Sequence, residues 1–360
     1  MRSPQPHRGM PGGARSRAAL AALCVLQVLA CAGCAGSPRP APGMPAETIV
    51  WPSPPEAARI KYLQSITRPE DIGWSPSFFK KLAGFVSGPE ASRQIVRPYG
   101  IFCTRKDVLY VADPGARLVH IFKQQDRQYE KIAAFEKQAL VSPIGVAVDE
   151  QDNLYISDSV LRRVFVFDAA GRPQREIGSD GRLLRPTGIA ISHALKRLYV
   201  ADTTAHAIIM YNLQGGFISS IGRRGTRDGE FNYPAALAIG RDGRLYVNDS
   251  LNFRIQIFNP DGTFVSLFGK HGDGIGEFTQ PKGVALDSEG HIYVADAVFD
   301  TVQIFNASGE LLLNFGQAGQ GPGNLWMPST VFIDETNRIF VSDSFNRRVQ
   351  VFQFIGGSRP

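Results

Sequence analysis

From residue 96 onward the chain repeats one alternation of apolar and polar positions six times. An aliphatic-aromatic-aliphatic triplet is followed, after one residue, by aspartate: Asp113, Asp158, Asp202, Asp249, Asp296 and Asp343. These aspartates are 45, 44, 47, 47 and 47 residues apart. Nine residues after each stands an aromatic, as at Phe122, Phe258 and Phe352, closing a short β-type run. Fifteen or sixteen residues before each stands a proline (Pro98, Pro143, Pro186, Pro234, Pro281, Pro328) that opens a mostly apolar segment. A further strand-like stretch, such as Glu310 to Phe315, precedes the next proline, and pairs such as Asp242-Gly243 and Ser308-Gly309 supply turns. Four short strands in about 45 residues, six times over, predict an all-β fold: a six-bladed β-propeller with four-stranded antiparallel blades over residues 96–355.

The sixth repeat has no fourth strand after Phe352, while an orphan alternating run, Arg59 to Ile66, precedes the first repeat. An open blade exposes an unpaired edge. Segment 58–68 is therefore expected to supply the missing strand and close the ring. In the insertion at 69–95, Phe78, Leu82 and Phe85 share one face of a short amphipathic helix beside Lys80 and Lys81.

The N-terminus changes the reading of charge. Arg2, Arg8, Arg15 and Arg17 precede an apolar run from Ala18 to Ala30, the layout of a signal peptide over 1–33 and too short to span a membrane. Lys and Arg total 39 against 33 acids; without those four arginines the excess falls from +6 to +2. A nucleic-acid partner loses its support. Cys31-Ala32-Gly33-Cys34 resembles a bacterial lipobox, with Cys31 where leucine is usual. The resemblance implies lipidation at Cys34, with Cys31 as rival site, and hence a membrane partner through a lipid anchor in an exported protein of the periplasm or outer membrane. Seven prolines between 38 and 55 make residues 34–57 a stiff tether. Cys103 is then a lone thiol in an apolar strand, expected to be buried and inert.

The second half of each unit, for example Val247-Asn248-Asp249 through Asn252-Phe253-Arg254 to Phe258, resembles the NHL repeat, and the resemblance covers residues 96–352. It implies an NHL-repeat six-bladed propeller lipoprotein of the bacterial kind, with a scaffolding, sensing or binding role. In that family arginine often follows the aspartate by five residues, as at Asp158/Arg163, Asp249/Arg254 and Asp343/Arg348; Leu118, Ala207 and Thr301 stand there in the other units. The six aspartates are expected to be structural, and the Asp–Arg pairs to fix the loop between second and third strands.

Few residues point to catalysis. His120, His193, His206, His271 and His291 show no metal-ligand spacing, and Asp149, Asp287 and Asp334 each precede a turn. The Gly-rich segments starting at Gly222, Gly269 and Gly316 lead into strands, so they are read as inter-blade loops and not as phosphate cradles. Where NHL repeats usually carry small polar residues after the aspartate, this chain has Val160 and Leu161, Leu251 and Phe253, Val298 and Phe299, and Phe345. Arg223, Arg224 and Arg227 are expected to rim the same face. These features suggest a monomeric, non-catalytic module, without cofactor or metal, recognising a protein partner or small ligand through one face. The alternative is a propeller enzyme of lyase or lactonase type using a metal in the central channel.

Overall fold

In a computed structural model of the protein, residues 48–75 and 93–356 are described. The signal segment, Cys34, Cys31 and the helix expected around Phe78 to Phe85 lie outside them. The described part of the insertion holds a single 3-10 turn, Pro69–Ile72.

Six antiparallel sheets follow one another along the chain, the first five each running from an innermost to an outermost strand in sequence order. In blade two these are Pro143–Val148, Leu154–Asp158, Arg163–Phe167 and Pro173–Ile177. The repeat prolines open the inner strands of blades two to six, and all six repeat aspartates end a second strand. Inner positions suit proline because its missing N–H falls where the ladder begins. Second strands are mostly buried, Leu245–Asp249 from end to end, while outer strands such as Pro173–Ile177 are largely exposed up to a buried last residue. Between blades one and two the link carries an extra hairpin, Ala134–Phe135 with Gln138–Ala139, whose Phe135 ring packs 5.0 Å from that of Phe165.

The apolar core is divided into six clusters, one at each seam between neighbouring blades. Tyr155 and Val166 of blade two meet Leu198 and Val200 of blade three, for example. Phe340 and Val349 of blade six meet Leu109 and Val111 of blade one, so the ring is closed. Closure leaves little room at the axis. Glycine stands two residues after the repeat proline in four blades, against the inner strand of the next blade. A Cβ on Gly145 would come 2.4 Å from the Thr187 carbonyl oxygen, and one on Gly283 would come 2.7 Å from the Thr330 Cα.

Blade six is completed from the other end of the chain. Ile60–Ile66 pairs antiparallel with Arg348–Phe354, Ile60 opposite Phe354 and Ile66 opposite Val349. Both isoleucines are fully buried. Val50–Trp51, within the stretch read as tether, adds a fifth, outermost strand to this sheet. The Trp51 ring lies 5.9 Å from Phe315 and 5.7 Å from Phe352, bridging blades five and six. At least this part of the proline-rich stretch belongs to the ring.

Candidate functional site

The loops between second and third strands and those linking one blade to the next emerge on the same side, called here the upper face. The repeat aspartates bind the two loop sets together. Asp158 accepts hydrogen bonds from the amides of Val141 and Ser142, just before the inner strand, and from Val160 and Leu161 after itself. Asp113, Asp202 and Asp296 accept equivalent amides, and all six carboxylates are wholly buried. A buried carboxylate surrounded by amide donors is a structural clamp, with its acceptor capacity committed.

In two blades arginine strengthens that clamp. Arg254 Nε donates to Asp249 at 2.8 Å, and its other nitrogens reach the carbonyls of Thr226, Arg227 and Glu230. Arg348 does the same with Asp343, Gly321 and Asn324. The third expected pair, Asp158/Arg163, does not form. Arg163 joins Glu176 of the adjacent strand at 2.9 Å instead, because Asp158 is already filled by four amides and Glu176 stands alongside. Glutamines two positions further along, Gln256, Gln303 and Gln350, also hold the incoming loop, and the sequence reading overlooked them. The Gly-rich segments are the inter-blade loops. Gly222 has φ 82°, and a Cβ there would meet the buried Phe231 ring at 2.3 Å; Gly269 and Gly316 repeat the arrangement against Phe278 and Leu325.

The expected apolar patch divides. The second residue after the aspartate points outward in four blades: Val160, Leu251, Val298 and Phe345 are 58%, 44%, 51% and 48% exposed. Trp326 and Tyr233, on the loops entering blades six and four, are also exposed, and the Trp326 ring lies tilted 5.6 Å from that of Phe345. Leu161 and Phe253 instead pack against the seam clusters on either side of their blades. Phe253 sits at φ 55°, which folds the loop back and lays its ring 4.3 Å from His271. Phe299 is partly buried. Of the rim arginines, Arg223 is tied to Glu230 at 3.0 Å, while Arg224 and Arg227 are exposed.

A second feature of this face was not foreseen. The residues before and after the repeat proline lead into the inner strand, at the upper mouth of the central channel. Three of them are cationic, on alternate blades: Arg97 in blade one, Arg185 in blade three and Lys282 in blade five. Burial, then the charges of Arg185 and Arg97, hold the Lys282 ammonium below the usual lysine range. The unfolded chain therefore binds that proton more tightly, so stability rises with pH through this range and the charge is a cost at neutral pH. The other residues flanking the prolines are uncharged: Ser142, Tyr233, Gln280 and Met327 before them, Tyr99, Ile144, Thr187, Ala235 and Ser329 after. The sequence signal was present in the residues beside each proline, but only ring closure shows that alternate repeats face one opening.

Other candidate groups are engaged elsewhere. His206 Nδ1 accepts the Tyr233 amide, His291 pairs with Asp287, and buried His120 lies between Asp113 and the Tyr129 hydroxyl. Asp149, Asp287 and Asp334 close turns on the opposite face, each accepting two backbone amides two and four residues on. Cys103 is buried, and burial pushes its thiol up to about 12, well away from the thiolate a nucleophile needs. Among the described residues no three His, Cys, Asp or Glu side chains gather to hold a metal. A divalent cation at the upper mouth would face three positive side chains, so the residues at that mouth do not suit a metal.

Residues 240–302 and 286–358 match the DUF5128 family, described as a 6-bladed beta-propeller. No curated protein is matched by sequence. Among solved structures, virginiamycin B lyase from Staphylococcus aureus is similar over 74% of this chain and 97% of its own, at 14% identity and TM-score 0.56. A gluconolactonase from Xanthomonas campestris is similar over 81% and 98%, at 16% identity and TM-score 0.57. An auxiliary nutrient binding protein from Bacteroides thetaiotaomicron is similar over 72% and 70%, at 11% identity and TM-score 0.55. At such identities the likeness is one of fold, shared by proteins with and without catalytic names. The chain is an all-β, six-bladed propeller of four-stranded antiparallel blades, its last blade completed by N-terminal strands.

Proposed function

We propose that this protein is an exported, lipid-anchored binding module of the NHL-repeat kind, non-catalytic, that captures a protein partner through the upper face of its ring. The observation that carries the reading is the set of outward apolar side chains at one loop position in four blades, Val160, Leu251, Val298 and Phe345. The fold does not need them there. Blades one and three carry Gly115 and Thr204 at that position and form the same sheets. Bulky groups exposed on a rigid scaffold are what an interface uses, since a few central side chains carry most of the binding free energy.

The combined variant Leu251→Ser, Val298→Ser and Phe345→Ser is expected to lose a partner that the parent captures by cross-linking in the cell envelope. Its denaturation midpoint should stay close to the parent's, because surface changes usually cost under about 0.5 kcal/mol each. Undiminished capture of that partner would remove the interface. So would a cost of ~3 kcal/mol or more, which marks core packing. The anchor has its own test. Cys34→Ala is expected to move the protein from the membrane to the soluble fraction, since stable anchoring takes more than one acyl chain. Unchanged partition and unchanged mass would turn attention to Cys31.

A further inference from the structure

Arg97, Arg185 and Lys282 come from alternate blades, so each stands a third of a turn from the next around the channel mouth. Among the described residues none of the three side chains takes part in an ion pair. Burial, Arg185 and Arg97 are the influences on the Lys282 ammonium, and the same two arginines act on the half-buried Tyr99 hydroxyl. The repeat aspartates of their own blades cannot neutralise them: Asp113, Asp202 and Asp296 are wholly buried and filled by loop amides.

The seam beside Lys282 carries a second unmatched group. In blades two and six the residue before the repeat aspartate is serine. Ser157 and Ser342 donate to the carbonyls of Thr187 and Tyr99, the residues that follow the proline of the next blade. In blade four that position is Asn248, and the residue after the next proline is Lys282. Asn248 is wholly buried, and neither its Oδ1 nor its Nδ2 has a hydrogen-bond partner. Converging like charges and an unpaired buried amide oppose folding, and such arrangements concentrate where a ligand is received.

We propose that the upper mouth of the channel is a binding site for a small polyanion bearing carboxylate or phosphate groups, held by Arg97, Arg185 and Lys282. The two arginines offer forked donors and Lys282 a point charge, a combination suited to planar or tetrahedral oxyanions. Arg97 also lies over the Phe345 ring at 5.9 Å, so the site adjoins the apolar rim. The inference goes beyond the rim reading and does not need it: anion binding is measured without any protein partner.

The test is calorimetric titration of the purified protein with citrate and, separately, with inorganic phosphate. One saturable site per chain is expected for at least one probe, weakening as salt rises. The stronger probe tells carboxylate from phosphate preference. Lys282→Gln and Arg185→Gln should each weaken that binding tenfold or more. Lys282→Met should melt no lower than the parent, because it removes an uncompensated charge, and should also fail to bind. The double variant Leu251→Ser and Val298→Ser, which leaves the Phe345 ring under Arg97, should keep the anion affinity whatever it does to partner capture. Absence of saturable binding by either probe overturns the site, as do parent-like affinities in both Gln variants. A lower melting temperature of Lys282→Met would overturn the claim that its charge is uncompensated.

Discussion

A chain lacking residues 48–66 is expected to lose the single cooperative unfolding of the closed ring and to aggregate. The deletion removes two strands from blade six and bares the whole edge of Arg348–Phe354. It also removes fully buried Ile60 and Ile66, together with Trp51 and Tyr62, which pack on the seam between blades five and six. Each buried aliphatic side chain is worth roughly 1.5–3 kcal/mol, so these residues alone approach the net stability of an ordinary domain, about 5–15 kcal/mol. A milder version separates strand loss from general damage: Ile60→Ala and Ile66→Ala should each cost ~2–5 kcal/mol. Denaturant unfolding followed by fluorescence measures both. A deleted chain that unfolds as steeply, and at the same midpoint, would show that the ring holds without its N-terminal strands.

Arg348→Met is expected to destabilise the protein by about 3–5 kcal/mol, the range for removing one partner of a buried ion pair. Three consequences coincide: Asp343 keeps a buried charge, and the carbonyls of Gly321 and Asn324 each lose a donor. Arg163→Met occupies the matching repeat position but should cost no more than ~1 kcal/mol, because its partner Glu176 is a third exposed and the pair is screened. Midpoints of urea denaturation compare the two directly. Equal losses would mean that the repeat position, and not the buried partner set, determines the cost.

That contrast bears on how much was legible in the chain. The blades could be read because proline opens and aspartate ends the inner strand pair, the two facing each other at its upper end, where backbone chemistry demands them. The displaced strand could be read because Arg59 to Ile66 alternates and the last repeat is short by one strand. Arg163 could not be assigned from spacing, since Glu176 lies next to it only once the outer strand is paired. Nor could a run such as Leu251-Asn252-Phe253 say which apolar residue turns outward. The left-handed backbone at Phe253 decides that, and an aromatic side chain gives no warning of it. Arg97, Arg185 and Lys282 are distant in the chain and in different repeats, so their convergence is a property of the circle.

The pairing of Ile60–Ile66 with Arg348–Phe354 also has a consequence in time. The strand made earliest finds its partner last, after every blade between them has been synthesised. Until then it is an adhesive edge without a neighbour, and long-range pairing of this kind is slow to form. A chain cut short anywhere before Arg348 keeps that edge permanently. Unfinished copies therefore carry at their start a mark that finished ones conceal, and a protease with a taste for extended strands could sort the two by that mark alone.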